Sequence, residues 1–314
     1  MVACIDYDGG VSAIDSGYVR PMLAAIHLVV EKDRAALVDT GTNFSVPGLL
    51  EAMAARGVAP EQVDWVMLTH VHLDHAGGAG LLMAQCPNAR LTVHPRGARH
   101  MADPARLVAG TVEVYGEQQA RAKYGEIVPV PANRIVETPD GASVRLGERE
   151  FRFLDTPGHA RHHVCIVDGG TGHVFAGDTF GLSYRELDVE GRQFIFPSTT
   201  PVQFDPPLLH RSIERLLALR PGAIHVTHFG QVREVQRLGE DLRRLVDAHA
   251  SLAQRWRDAG ADRHRRLVDG LREMLLSEGR RQQWALPQAE VLRLFADDLE
   301  LNAAGLEAWL DATT

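Results

Sequence analysis

The chain has 314 residues, of which 45% are apolar and 24% charged, a composition typical of a globular protein with a sizeable buried core. Its net charge of −8 argues against a nucleic-acid partner, which usually requires a basic face. Three scattered cysteines give no disulfide framework, and we find neither a signal-peptide pattern nor an apolar run that could span a bilayer. We therefore expect a cytoplasmic protein without a membrane partner.

The first part of the chain alternates short apolar runs with turn residues and helical patterns. The predicted strands lie at residues 24–30, 35–38, 63–68 and 91–93, and the predicted helices at residues 46–56 and 79–85. Residues from about 103 to 131 break this rhythm with a helical pattern at 112–124. We interpret them as an inserted helix and loop, which either covers a site or is a plain surface connection.

Strand patterns return in the middle of the chain and end shortly before Gly230. They lie near residues 135, 144, 151–154, 164–167, 174–176 and 223–226, with an amphipathic helix at 208–219. Beyond Gly230 every periodic segment is helical, and its arginines alternate with acids as on a solvated helix face. This organisation predicts an α+β domain at 1–235 and an all-helical C-terminal extension at 236–314.

The segment Thr69-His70-Val71-His72-Leu73-Asp74-His75 directly follows a predicted buried strand. Histidine is the commonest nitrogen ligand of zinc, and carboxylates complete mixed sites. Alternation places His70 and His72 on one side of an extended segment, whereas Asp74 and His75 point elsewhere. A cluster of surface histidines is the alternative, but the position at the end of a strand favours a metal site.

Three further segments end predicted strands with residues of the metal-ligand types. His159 lies in Asp155-Thr156-Pro157-Gly158-His159, Asp178 follows Gly177, and His228 lies between Thr227 and Phe229. Any one of them is also compatible with a structural histidine or a turn aspartate. Four such segments in one chain favour a common metal centre.

These residues resemble the metallo-β-lactamase superfamily, in its glyoxalase II-like branch, over roughly residues 24–230. The resemblance implies a four-layered αβ/βα sandwich with two metal ions between the sheets at one edge. The implied ligands are His70, His72 and His159 for the first ion, Asp74, His75 and His228 for the second, and Asp178 for both. Asp39, in Asp39-Thr40-Gly41, either supports these ligands or simply caps a turn.

The implied reaction is hydrolysis of a small-molecule ester, thioester, lactone or related bond by a metal-bridging hydroxide. Asp74 and Asp178 are the catalytic candidates, because Asp74 can orient the hydroxide and take up its proton while Asp178 bridges the ions. Zinc is the first choice of metal, with iron and manganese as alternatives, since histidine and aspartate suit all three.

Differences between this sequence and the patterns of known branches of the superfamily narrow the class of substrate. Class B β-lactamases typically carry a cysteine at the position of Asp178, which argues against antibiotic hydrolysis. The stretch Phe180-Gly181-Leu182-Ser183-Tyr184-Arg185 lacks the Arg- and Cys-rich pattern of glyoxalase II, which argues against a glutathione thioester. Candidate pocket residues, with core packing as the alternative reading, are Met22, Phe180, Tyr184, Phe196 and Phe229.

Two competing functions remain at this point. A phosphodiesterase or nuclease of the same fold would need a basic groove or a clamping arm, and the sequence shows neither. A non-catalytic metal-binding sensor is disfavoured by the complete ligand set. The apolar area of Trp256, Trp284 and Trp309 suits either a helical core or a homodimer interface.

Overall fold

The computed structural model describes residues 2–199 and 203–313, so residues 1 and 314, the outer ends of the two predicted domains, lie outside it. The described strands form two mixed sheets. The first sheet runs in the order β1 (Cys4–Tyr7), β2 (Val11–Asp15), β3 (Ala25–Glu31), β4 (Arg34–Val38), β5 (Val63–Met67), β6 (Arg90–Val93) and β7 (Ile135–Glu137). The second sheet comprises β8 (Ser143–Leu146), β9 (Arg149–Asp155), β10 (Val164–Asp168), β11 (Val174–Gly177), β12 (Ile224–Val226) and β13 (Gly230–Val232), in the order β13-β12-β11-β10-β9-β8.

Strand direction changes within each sheet. In the first sheet β1 to β4 are antiparallel neighbours, whereas β4, β5, β6 and β7 pair in parallel. In the second sheet β8 to β11 are antiparallel and β12 joins β11 in parallel. The hairpin of β1 and β2 is absent from the predicted elements. Its two strands are short, and the turn between them is made by Gly9 and Gly10 at positive φ.

Alternation along the strands builds a core on each face of the first sheet. On β4, Ala36 and Val38 pack in one cluster with Phe151, Phe153 and Phe175 of the second sheet. The alternate residues of β4 belong to a cluster on the opposite face of the sheet. That cluster includes the helices α1 (Val46–Ala54) and α3 (Ala79–Gln85). Period-two alternation in a strand therefore serves both cores, and each fully buried large apolar side chain contributes about 1.5–3 kcal/mol.

The inserted region contains two helices where the sequence pattern predicted one. Beyond α2 (Leu73–Ala76) and α4 (Pro95–Ala102), the chain forms α5 (Ala105–Tyr115) and α6 (Glu117–Tyr124). The single helix predicted at 112–124 is wrong because Gly116, at φ 76°, interrupts it. Positive φ is a conformation that glycine adopts without steric cost and that an α-helix excludes.

Contacts divide the chain into two compact units. The first runs to Asp155 and adds His162–Gly177 and Ala223–Gln231; the second contains Thr156–Arg161, Asp178–Gly222 and the chain from Val232 onward. The second unit holds α7 (Pro206–Ala218), α8 (Val235–Arg255), α9 (Arg263–Gln282), α10 (Gln288–Leu294) and α11 (Ala296–Ala312). The division into domains at 1–235 and 236–314 stays a prediction, because the second unit also contains segments that precede residue 235.

An aromatic cluster forms the centre of the second unit. The ring of Phe295 lies 5.1 Å from Tyr184, 5.6 Å from Phe196 and 6.2 Å from Phe194, measured between centroids. Trp284 adds an edge-to-face contact with Phe194 at 4.9 Å. Such rings bury large apolar areas and favour these tilted arrangements. No described helix is both long and apolar enough to cross a bilayer.

The predicted fold class is confirmed. Two mixed sheets, their helices and a helical C-terminal region form an α+β structure.

Candidate metal centre

The first unit brings Asp74, His75 and His228 together. Asp74 and His75 belong to α2, and His228 follows β12. The Oδ2 atom of Asp74 lies 3.5 Å from Nε2 of His75 and 3.6 Å from Nε2 of His228. Ligand atoms placed tetrahedrally about 2.0–2.2 Å from zinc lie about 3.3–3.6 Å from one another. The three side chains therefore fit a single divalent ion.

His70 and His72 extend the same group of imidazoles. They follow β5, and Nε2 of His70 lies 2.9 Å from Nδ1 of His72. The His70 ring lies 4.0 Å from the His75 ring, between centroids, and His75 lies 5.5 Å from His228. The first unit thus gathers five of the seven predicted ligands.

The second unit holds the remaining two predicted ligands, His159 and Asp178. His159 lies in the loop between β9 and β10, and Asp178 follows the last residue of β11. Nε2 of His159 lies 3.5 Å from Oδ2 of Asp178, a separation that two ligands of one ion would have. Ser198 contacts both, since its carbonyl accepts from Nδ1 of His159 at 3.1 Å and its hydroxyl donates to Asp178 at 3.3 Å.

Three of these histidines use Nδ1 for a hydrogen bond to an oxygen that can only accept. His75 donates to the Asp39 carboxylate at 2.9 Å, His228 to the Leu23 carbonyl at 2.9 Å, and His159 to the Ser198 carbonyl at 3.1 Å. A ring nitrogen that faces a carbonyl or carboxylate must carry the proton, which leaves Nε2 as the lone-pair donor. Histidine ligands of metals are usually held in this way.

Asp39 holds this group of predicted ligands through hydrogen bonds of its buried carboxylate. It lies just after β4, at φ 61°. Its carboxylate accepts the hydrogen bond from His75 and further hydrogen bonds, at 2.9–3.1 Å, from the backbone N–H and hydroxyl of Thr69 and from the hydroxyl of Thr227. Its role is therefore the supporting one of the two that the sequence allowed. Burial leaves it 1% exposed.

Close packing behind His70 requires glycine at position 177. Gly177 has φ 47°, and a Cβ atom there would lie 2.6 Å from Nε2 of His163 and 2.7 Å from the Thr69 hydroxyl. The His163 ring stacks on His70 with centroids 4.8 Å apart, and His162 stacks more distantly at 6.2 Å. The two histidines that follow His159 thus pack against a predicted ligand.

The aromatic pocket candidates turn out to be core residues. Phe180, Tyr184, Phe196 and Phe229 are fully buried. Tyr184 donates its hydroxyl hydrogen to Asp298 at 2.9 Å, and Phe229 packs in a cluster with Ala13, Ala25 and Met22. Core packing, the alternative reading of the sequence, therefore describes these four, whereas Met22 is half-buried.

Some supporting groups carry no readable signal in the sequence. The carbonyls of Leu23 and Ser198 hold histidines through backbone oxygens, which every residue has. Thr69 and Thr227 each directly precede a predicted histidine ligand, and that repeated Thr-His pair was the available signal.

The chain matches the family model of the metallo-beta-lactamase superfamily over residues 19–228 and belongs to this superfamily. It is 24% identical over 234 residues to the metallo-beta-lactamase fold-containing protein ST1585 of Sulfurisphaera tokodaii, covering 71% of this chain and 79% of that protein. The crystal structure of ST1585 superposes with a TM-score of 0.62 at 20% identity, over 95% of this chain and 98% of that one.

Two other relatives are named for the reactions they catalyse. A hydroxyacylglutathione hydrolase of Xanthomonas euvesicatoria is 29% identical over 211 residues, which is 67% of this chain and 59% of that enzyme. The acyl-coenzyme A thioesterase MBLAC2 of Bos taurus is 29% identical over 174 residues, 49% of this chain and 57% of that enzyme. The matches thus span somewhat more than half the length of these two relatives.

Proposed function

We propose that this protein is a dinuclear zinc hydrolase of small-molecule acyl compounds, with acyl thioesters as the leading class and esters and lactones as related substrates. The observation that carries the proposal is the anchoring of His75, His228 and His159 through Nδ1, which aims three ring nitrogens as metal ligands. Membership of the superfamily and the two relatives named for acyl-transfer hydrolysis support the reaction class.

The proposed ligand sets are those that the resemblance to the superfamily implies. One ion would be held by His70, His72 and His159 and the other by Asp74, His75 and His228, and both would share Asp178. When bound, two such ions lower the pKa of a water molecule and polarise a substrate carbonyl.

The chain's own residues orient the reaction. Oδ2 of Asp74 faces the two histidines, so its other carboxylate oxygen can accept a hydrogen bond, and then a proton, from the attacking water. The buried hydrogen bonds of Asp39 and Ser198 keep the ligand rings from rotating, and they hold the site in its productive geometry without a cost of reorganisation during the reaction.

Metal analysis combined with a substrate panel tests the proposal. We expect about two zinc ions per chain and turnover of at least one acyl thioester, ester or lactone. Asp178→Ala should lower metal content and activity together, whereas Asp258→Ala, an exposed aspartate in the second unit, should change neither. Full activity in a metal-free Asp178→Ala protein would refute the proposal.

RNA and phosphodiester substrates belong in the same panel. Their turnover in place of acyl substrates would favour the nuclease alternative, and binding of zinc without turnover of any substrate would favour the sensor.

A further inference from the structure

Ser198 lies in a segment that the C-terminal helix α11 holds in place. The hydroxyl and the carbonyl of Ser198 contact two predicted metal ligands. Its neighbours in the chain, Pro197 and Thr199, are hydrogen-bonded to Asn302 of α11. Thr199 and Asn302 are 103 positions apart, and α11 lies outside residues 19–228, over which the superfamily model matches. A helix beyond the matched region thus contacts the surroundings of two predicted ligands.

Asn302 makes three hydrogen bonds to this segment. Its side-chain oxygen accepts from the backbone N–H of Thr199 at 2.7 Å, and its side-chain NH2 group donates to the Pro197 carbonyl at 3.0 Å. Its backbone carbonyl accepts from the Thr199 hydroxyl at 3.1 Å. Asn302 is 2% exposed, so water cannot replace these partners and losing them is costly. The three bonds therefore fix the backbone on both sides of Ser198.

The bond from Thr199 to Asn302 determines the direction of the acceptor that holds His159. The carbonyl of Ser198 and the N–H of Thr199 belong to one planar peptide group and point in opposite directions. By holding the N–H, Asn302 fixes the plane of this peptide group, whose carbonyl accepts from Nδ1 of His159 at 3.1 Å. Rotation of the peptide would remove the acceptor that keeps the proton on Nδ1 and leaves Nε2 as the lone-pair donor.

The same helix also holds the segment that follows Asp178. Tyr184 of this segment donates its hydroxyl hydrogen to Asp298 of α11 at 2.9 Å. Asp298 and Asn302 are four positions apart, so their side chains lie on one face of the helix. One face of α11 therefore anchors two segments, of which one follows a predicted metal ligand and the other contains the serine that contacts it.

The two anchored segments are paired with each other. Leu182 and Phe196 form an antiparallel bridge and exchange both backbone hydrogen bonds, each at 2.9 Å. Asp178 precedes Leu182 and Ser198 follows Phe196, so both lie on the same side of this bridge. There the Ser198 hydroxyl donates to the Asp178 carboxylate at 3.3 Å. A displacement of either segment would therefore change the position of the Asp178 carboxylate.

We propose that Asn302 is a positioning residue of the metal centre, which orients His159 and Asp178 through the peptide and the hydroxyl of Ser198. Asn302 does not bind an ion itself, but it fixes the residue that holds two of the ligands. This inference rests on the proposed function, because it uses the ligands proposed there. It adds that the C-terminal helix α11 controls the affinity of the site for metal, as residues that support metal ligands generally do.

The zinc affinity of the full chain, measured by competition against a chelator of known affinity, provides the first test. Asn302→Leu keeps the approximate size of the side chain and removes both of its hydrogen bonds. We expect it to weaken zinc binding about tenfold. It should also shift the absorption bands of the cobalt-substituted protein, which depend on the geometry of the ligands. A zinc affinity and a cobalt spectrum equal to those of the unmodified protein would overturn the proposal.

Leu310→Ala is the matched control, because it separates positioning from a general loss of stability. Leu310 is fully buried near the other end of α11, and its apolar side chain makes no hydrogen bond. Both variants should lower the melting temperature, Leu310→Ala through a cavity and Asn302→Leu through lost hydrogen bonds. Only Asn302→Leu should weaken zinc binding. An equal loss of zinc affinity in both variants would show that α11 contributes only stability.

Asn302→Asp is a conservative variant that tests the route through the peptide. Its carboxylate keeps an acceptor for the N–H of Thr199 but loses the donor to the Pro197 carbonyl. If the plane of the Ser198 peptide is what matters, Asn302→Asp should bind zinc more tightly than Asn302→Leu. Equal weakening in the two variants would overturn the assignment of this route.

Zinc affinity and the cobalt spectrum do not depend on turnover, so the two proposals can fail separately. If Asn302→Leu weakens zinc binding as expected but the zinc-loaded protein hydrolyses no acyl substrate, the proposed function fails and the positioning role stands. If the zinc-loaded protein hydrolyses an acyl thioester, ester or lactone but Asn302→Leu binds zinc normally, the function stands and the positioning role is overturned.

Discussion

His75 donates a hydrogen bond from Nδ1 to the buried carboxylate of Asp39, across 2.9 Å. The same carboxylate is held by Thr69 after β5 of the first sheet and by Thr227 after β12 of the second. The orientation of one imidazole is thereby tied to the ends of strands in both sheets. Asp39 is hydrogen-bonded to a predicted ligand but is not one itself. A residue in this position changes the affinity for the metal ion without binding the ion.

Replacing Asp39 with asparagine should weaken zinc binding about 10- to 100-fold. The amide keeps the size of the side chain but removes the negative charge that fixes the His75 ring. Competition against a chelator of known affinity measures the change. Asp33→Asn, in the exposed turn between β3 and β4, is the control and should bind zinc normally. Unchanged affinity in Asp39→Asn would show that Asp39 has only a structural role.

Replacing His228 with alanine should remove one of two ions. The second ion then keeps only Asp74, His75 and the shared Asp178, whereas the ion assigned to His70, His72 and His159 keeps its whole set. We expect bound zinc to fall from about two to about one per chain, measured by elemental analysis after gel filtration. His210→Ala, which removes a partner of Asp247 in the second unit, should leave both ions. Retention of both ions in His228→Ala would contradict the ligand assignment.

Replacing Asp168 with asparagine should destabilise the fold by about 3–5 kcal/mol. Asp168 is fully buried, and burial opposes its charge, but hydrogen bonds from Arg149 outweigh this and lower the pKa of Asp168. Its contribution is therefore complete above the ordinary carboxyl pKa and is lost as pH falls through the lowered value. Urea unfolding at neutral pH measures the loss, and Glu150→Gln, exposed on β9 next to Arg149, is the control. A loss below about 1 kcal/mol would contradict the prediction.

His264 should make the stability of the C-terminal helices depend on pH. Its partial burial lowers its pKa, but hydrogen bonds to Glu300 and Glu307 on α11 outweigh burial and raise the pKa overall. The stabilisation that these hydrogen bonds give the folded state is complete below the ordinary histidine pKa near 6.5. It is lost as pH rises through the raised pKa.

The difference in melting temperature between the unmodified protein and His264→Gln measures the stabilisation by His264. We expect a difference of about 1–2 °C near pH 6 that vanishes near pH 8.5, since an exposed ion pair contributes less than about 1 kcal/mol. A difference independent of pH would show that the charge of His264 is not involved.

Hydrophobic periodicity was sufficient to predict most elements. The helix at 79–85 coincides with α3, and the strands at 35–38 and 63–68 match β4 and β5 to within one residue. These segments are long or strongly apolar, so their pattern reflects burial directly. The hairpin of β1 and β2 was missed because glycines form its turn and polar and acidic residues interrupt its strands.

The ligand types were readable because metal chemistry restricts them to a few side chains. The groups that orient these ligands were not all readable, because a carbonyl such as that of Leu23 leaves no trace in the residue type. The hydrogen bond between the hydroxyls of Tyr18 and Tyr124 was not predicted, for another reason. They are 106 positions apart in the chain, and only the packing of the insertion brings their hydroxyls together.

Asp74 and His228 are far apart in the chain, but Oδ2 of Asp74 lies 3.6 Å from Nε2 of His228. An ion bound by both residues would therefore crosslink distant parts of the chain. In the unfolded chain the same two residues would be separated by a long, flexible loop, and closing such a loop has an entropic cost. Zinc would therefore bind the folded form selectively and shift the folding equilibrium toward it as its free concentration rises. Resistance to heat and to proteases would then report on the metal supply of the surrounding solution.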